Sequence, residues 1–135
     1  MRGSLADINV VGILTHLGPI WRSDTWRELW FGLGASMESF ESLGLPLNAS
    51  DEVIWRICQR EQLVLITENR HADEPDSLEM VIRDENQPDS LPVVTIADPR
   101  RITRDRLYAQ KVAERLLDYQ MRIDEVRGTG RIYVP

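Results

Sequence analysis

Three short stretches carry side chains that could do chemistry together: Asp7-Ile8-Asn9, Asp51-Glu52 and Thr67-Glu68-Asn69. The first follows a short apolar strand, the second opens a helix, and the third closes the most apolar strand in the chain. A parallel sheet would deliver all three to its carboxyl edge, where open α/β sheets bind their ligands. Carboxylates gathered there are hard oxygen donors of the kind that hold Mg²⁺ or Mn²⁺. Such an ion can activate a water for attack on a phosphodiester. Asn69 stands where a third carboxylate would complete the set. Its amide oxygen can ligate or orient a water, but it brings no charge.

Each residue also has a structural explanation. Asp51 and Glu52 suit a helix N-terminus because they oppose the positive end of the helix dipole. Asp76 and Glu79 have the spacing of a capping box. Asp7 is harder to explain away, because an Asp in an apolar strand-to-helix turn is costly unless it is paired or ligated. His16 and His71 have no ligand partner at metal-binding spacing, and Arg70 pairs most simply with Asp73. Cys58 falls on the apolar side of a helix, where a thiol packs as a small hydrophobe.

The elements that must position these groups follow from periodicity. Leu5 to Ile8 reads as a first strand, after a Met1–Ser4 segment that is poor strand material. A helix follows on Val10, Val11, Ile13, Leu14 and Leu17, stopped by Gly18-Pro19. Asp24 caps a second helix with the stripe Trp26, Leu29, Trp30 and Leu33, ended by Gly32 and Gly34. Trp26, Trp30 and Trp55 lie on helical stripes and are expected in the core, with Ile54 and Ile57, rather than stacked on bases. Trp21 falls in a loop. Met37 to Leu43 is a weak strand, and Ser50 caps a helix bearing Val53, Ile54, Ile57 and Cys58. Leu63 to Thr67, apolar on both faces, should be central in a parallel sheet. After a polar loop come a helix with Leu78, Val81 and Ile82, a strand over Pro92–Ile96, a long helix from Ile102 to Ile123, and a terminal strand near Ile132. Strands alternating with helices imply an α/β three-layer sandwich with a mostly parallel sheet.

Bulk properties bound the alternatives. A chain of 135 residues is read as one domain, residues 1–135, and buries roughly two-thirds of its unfolded surface. No stretch reaches the ~20 apolar residues of a membrane span, so no membrane partner is expected. A single cysteine rules out a disulfide within the chain, and a cytoplasmic location follows as the expectation. The net charge of −6 argues against a non-specific duplex-DNA binder. Lys111 is the only lysine; Arg, the residue suited to phosphate forks, supplies the other basic side chains. No Gly-rich phosphate loop is present, which removes nucleoside triphosphatases of that type.

Taken in order, Asp7-Ile8-Asn9, Leu43-Gly44-Leu45, Ser50-Asp51-Glu52-Val53-Ile54 and Val64-Leu65-Ile66-Thr67-Glu68-Asn69 resemble the PIN-like proteins, small relatives of the PIN-domain toxin ribonucleases. The likeness covers residues 4–96, and the segment from Asn69 to Val93 looks like a bacterial subgroup of unknown function. The resemblance implies a compact α/β/α sandwich with an acidic site. Asp7 matches a first-strand aspartate that ligates metal in the active relatives, and Asp51 matches a helix-start carboxylate. Asn69 takes the place of a carboxylate that active relatives usually have. The second-helix glutamate has no clear match, with Glu38 and Glu41 as candidates by region only. Active relatives often follow the strand with two acidic residues and an aromatic, whereas Asn69-Arg70-His71 follows here.

Two functions stay open on these residues. One is a metal-dependent ribonuclease, as the toxin of a toxin–antitoxin pair, with Asp7 and Asp51 holding Mg²⁺ or Mn²⁺ and Asn69 positioning water. RNA as substrate, an antitoxin protein as partner and a homodimer belong to that expectation. The other is a catalytically degenerate PIN-like fold that binds nucleic acid or protein. A flavodoxin-like or receiver-like phosphoacceptor would need an acidic pair and a lysine near a later strand, and Lys111 falls in mid-helix.

Overall fold

A computed structural model describes residues 1–68 and 77–135. Asn69, His71, the Arg70–Asp73 pair and Asp76 lie outside the described residues. Five strands form one sheet in the order β2-β1-β3-β4-β5, every neighbouring pair parallel. They are β1 (Gly3–Ala6), β2 (Ser36–Glu38), β3 (Leu63–Glu68), β4 (Val93–Ile96) and β5 (Arg131–Val134). The helices are α1 (Val11–Trp21), α2 (Arg27–Leu33), α3 (Phe40–Leu43), α4 (Asp51–Glu61), α5 (Ser77–Glu85), α6 (Arg106–Met121) and α7 (Ile123–Val126), with a 3-10 turn over Pro99–Thr103.

Parallel sheets must be covered on both faces, and the alternation of side chains along each strand divides the core accordingly. Ala6, Val64, Ile66, Val94, Ile96 and Val134 pack under α1 and α6, with Trp26 and Trp30 of the α2 region at the margin. Leu5, Leu63, Leu65 and Val93 pack on the opposite face against Phe40, Ile54, Trp55, Cys58 and Leu78 of α3, α4 and α5. The result is the expected α/β/α sandwich. β3 sits between β1 and β4 and is buried from Leu63 through Thr67, as its unbroken apolar run requires.

The crossovers differ in one respect. From β1 the chain moves outward to β2 on the α1 face, then returns past β1 to β3, and on to β4, by way of the α4 and α5 face. From β4 it moves outward to β5 over α6, on the α1 face again. That last crossover is therefore opposite in hand to the other three, against the strong tendency of such units to share one hand.

Several local expectations are corrected. β1 begins at Gly3, not Leu5, and its glycine has a purpose: a Cβ there would run into the Ser36 backbone of β2. α1 continues through Pro19 to Trp21. Proline inside a helix costs about 3 kcal/mol, yet loss of a buried Trp costs about 3–5 kcal/mol, and here the helix end is anchored by one. Trp21 is 2% exposed. Its Nε1 donates to the Ala113 carbonyl at 2.8 Å, and its ring stacks on Trp30 with centroids 4.4 Å apart. The tryptophan expected in a loop is thus a core residue, while Trp26, Trp30 and Ile57 are only partly buried. Ile54 is buried as expected. Asp24 does not cap α2, whose N-cap position is Trp26; it pairs with Arg27 at 3.7 Å. Gly34 ends α2 with φ 63°. The weak strand expected over 37–43 shortens to β2, and Phe40–Leu43 turns into α3. The Ile102–Ile123 helix divides into the 3-10 turn, α6 capped by Asp105, and α7.

Cys58 is 1% exposed inside the second core cluster. Burial pushes its thiol from an ordinary 9.0 up to about 12. Between these values the unfolded chain releases a proton that the folded chain keeps. Stability therefore falls as pH rises through that window, and this loss does not operate below it. The native protein should resist thiol-modifying reagents at pH 8 and react promptly in urea. Cys58→Ala should flatten the decline in stability between pH 9 and 12, measured by urea unfolding.

Candidate functional site

All strands run the same way, so α1, α4, α5 and α6, which follow strands or lead back to the next, start at the carboxyl edge. The order β2-β1-β3-β4-β5 places a switch point between β1 and β3. The chain leaves β1 toward one face, and its connection into β3 covers the other. Doubly wound sheets bind ligands in the crevice that such a divergence opens.

Asp7 stands at that point. Its N–H donates to the Ile66 carbonyl at 2.9 Å, extending the β1–β3 ladder by one rung. Its own carbonyl accepts the Val10 N–H at 2.9 Å, closing the turn into α1. The backbone on either side of the carboxylate is thereby fixed, and the residue is half-buried. Asp51 is the first residue of α4. Ser50 caps that helix by accepting the Val53 N–H at 3.2 Å, which directs Asp51 toward the same edge. One Asp51 carboxylate oxygen accepts the hydroxyl of Ser77 at the start of α5.

These residues share one cleft of about 290 Å³, with Asp7, Asn9, Asp51, Thr67 and Glu68 as its polar lining and Phe40, Ile54 and Leu78 among its apolar walls. Thr67 is buried and bonded to Thr95 across β3 and β4 at 3.0 Å between hydroxyl oxygens. The structure therefore brings Asp7 and Asp51 to one site. Asn69 lies outside the described residues, although it follows Glu68 directly in the chain.

Glu68 belongs to the Thr67-Glu68-Asn69 stretch but carries no role of its own in the sequence reading. It ends β3 and lines the cleft. The signal was present in its position one residue before Asn69, but strict alternation assigns it to the face opposite Thr67; only the end of the strand lets it reach the cleft. The regional glutamates do not join it. Glu38 ends β2, pairs with Arg2 at 3.3 Å and accepts the Ser42 hydroxyl at 2.6 Å. The Ser42 hydrogen bond above all, with Arg2 also contributing, holds its carboxyl below the usual range. It lines a separate cavity with Trp21 and Trp30, and Glu41 is exposed on α3.

The polar lining of the cleft offers carboxylate, hydroxyl and carboxamide oxygens and no imidazole or thiol, which would suit a hard ion of the Mg²⁺ class rather than zinc. Among the described residues no three Asp, Glu, His or Cys side chains form a group that could hold an ion together. An ion held there would take one or two carboxylates and keep most of its waters, as Mg²⁺ commonly does. No protein family, characterised protein or solved structure matches the chain. Among the described residues no helix is long and apolar enough to cross a membrane.

The cap that aims Asp51 can be tested directly. Ser50→Ala should lower stability by about 1 kcal/mol in urea unfolding, because the Val53 N–H loses its acceptor. Ser50→Asp should recover most of the loss.

Proposed function

We propose that the chain is a metal-dependent ribonuclease of PIN-like type, working in the cleft at the carboxyl edge between β1 and β3. The observation that supports this reading is that Asp7, Asp51 and Glu68, from three separate parts of the chain, line one crevice. Asp7 and Asp51 would hold Mg²⁺ or Mn²⁺. Such an ion supplies, when bound, an acidified water and a counter-charge for the phosphoryl oxygens.

The chain's own groups have defined tasks in this reading. The Asp7 backbone hydrogen bonds prevent its carboxylate from drifting with the loop. The N-terminus of α4 adds a partial positive charge beside Asp51, which favours both the ionised carboxylate and an approaching phosphate. Glu68 supplies a further carboxylate to orient water or accept its proton. Asn69 serves as an uncharged water ligand. Phe40, Ile54 and Leu78 keep one side of the cleft dry, which strengthens electrostatic interactions within it.

One observation favours the second reading, a PIN-like fold that binds without cleaving. The Ser77 hydroxyl already satisfies an Asp51 oxygen, as it would in a purely structural contact between α4 and α5.

Cleavage of single-stranded RNA separates the two. The ribonuclease should need Mg²⁺ or Mn²⁺, stop with a chelator, and lose at least about a hundredfold in rate with Asp7→Asn. Asn69→Asp should tighten Mn²⁺ binding by calorimetry, since it restores a carboxylate. Absence of both cleavage and Mn²⁺ binding in the natural chain and in Asn69→Asp would discard the enzyme and leave the binding module.

A further inference from the structure

Apart from the acidic cleft, a groove of about 670 Å³ lies on the other face, between α1 and α6. Its two ends differ in chemistry. At one end stand Arg104 and Arg106, beside Thr103 and the start of α6. At the other stand Trp26 and Glu114, which also border the adjoining hollow of Leu29, Leu117 and Met121 and so mark the far limit of the groove. Ile20 and Ile102 line it in company with the hydroxyl-bearing Ser23 and Thr25.

The positive charge at the basic end comes from Arg104 and Arg106. Arg2, Arg56, Arg101, Arg122 and Arg127 are each ion-paired. Arg104 and Arg106 make no ion pair among the described residues, and both are exposed. The nearest carboxylate in sequence, Asp105, is already committed: it accepts from Arg101 at 2.9 Å and caps α6 through the Tyr108 N–H at 3.1 Å. Two guanidinium groups without an ion pair among the described residues are available to an anion, and guanidinium matches phosphate through paired N–H donors.

The opposite end suits an aromatic ring. Trp26 is half-buried, with its indole packed partly on the core and partly facing the groove, and bases stack well on such a surface. From Arg106 to Glu114 is eight residues of α6, about 12 Å at the helical rise. That span is comparable to a nucleotide measured from its phosphate to the far edge of its base. Glu114 is placed to accept hydrogen bonds from a ribose or from an exocyclic amine.

We propose that the groove between α1 and α6 binds a nucleoside phosphate, with its phosphate on Arg104 and Arg106 and its base against Trp26. The ligand is either a free nucleotide or one unit of a single strand; both present the same phosphate and base. The site is separate from the acidic cleft and stands whether or not that cleft cleaves RNA.

Calorimetry on the intact chain tests this with four ribonucleoside 5′-monophosphates, inorganic phosphate, the matching nucleosides and a single-stranded trinucleotide. Each monophosphate that binds should do so at least tenfold more tightly than phosphate or its nucleoside. Arg104→Ala with Arg106→Ala should weaken it at least tenfold, and added salt should weaken it further. Trp26→Leu should weaken the nucleotide but not phosphate, and Trp26→Phe should restore much of the difference. Thermal unfolding checks that each variant is folded; the two arginines are exposed, so their replacement leaves the fold intact. All titrations are run with a chelator present, so that the acidic cleft holds no divalent ion and this result stays apart from the ribonuclease test. A trinucleotide that binds more tightly than the monophosphates identifies a strand as the ligand, and the converse identifies a free nucleotide. The proposal is overturned by no saturable binding of any nucleotide, by phosphate binding as tightly as nucleotide, or by affinity unchanged in the arginine double variant.

Discussion

The parallel pairing of β1 with β3 is the constraint on which the rest of the structure depends. It joins segments about sixty residues apart in sequence, in a register that sets Leu5 beside Leu65 and Ala6 beside Ile66. The strand between them in chain order, β2, is left at the edge on the far side of β1. Because the helix after β1 packs on one face and the helix after β3 on the other, the connections separate at the carboxyl edge. The crevice so formed has a backbone that the sheet holds rigid. Polar groups can sit there without disturbing the core, since the sheet interior is already filled from both faces.

Much of this was legible because β3 is apolar without alternation. A strand that is apolar on both faces has to be central, and a central parallel strand has to be flanked by helices. Ser50 and the stripe of α4 were similarly plain, because a cap and a helical period point the same way. Local signals misled where tertiary contact outweighed them. Gly18-Pro19 reads as a stop, but Trp21 reaches Ala113 and Trp30, and neither partner is visible from the local sequence. Gly3 reads as weak strand material, although its missing side chain is what lets β2 approach.

The site was legible to a different degree. Asp7 and Asp51 stand out in the sequence because each sits at a junction between element types; such junctions fall at sheet edges, and both residues line the cleft there. Glu68 is harder to assign, because a strict period of two places it on the other face. That rule holds within a strand and lapses at its last residue, where the backbone is about to leave the sheet. The regional candidates Glu38 and Glu41 failed for a related reason. Proximity along the chain placed them near a site that only the strand order could define, and β2 lies on the wrong side of β1.

The two hollows can be compared through how their charges are compensated. The acidic cleft lies under α3, α4 and α5, and the basic groove lies between α1 and α6, with the sheet separating them. Arg2, Arg56, Arg101, Arg122 and Arg127 meet carboxylates at the surface, in pairs that contribute little each. The guanidinium groups of Arg104 and Arg106 have no such partners among the described residues, because the single carboxylate between them caps α6. Asp105 could have neutralised either arginine. Its use as a cap instead fixes the start of α6, and through α6 the packing of Trp21 on Ala113. The same residue that secures the fold on this face thus leaves the positive charge at the groove uncompensated.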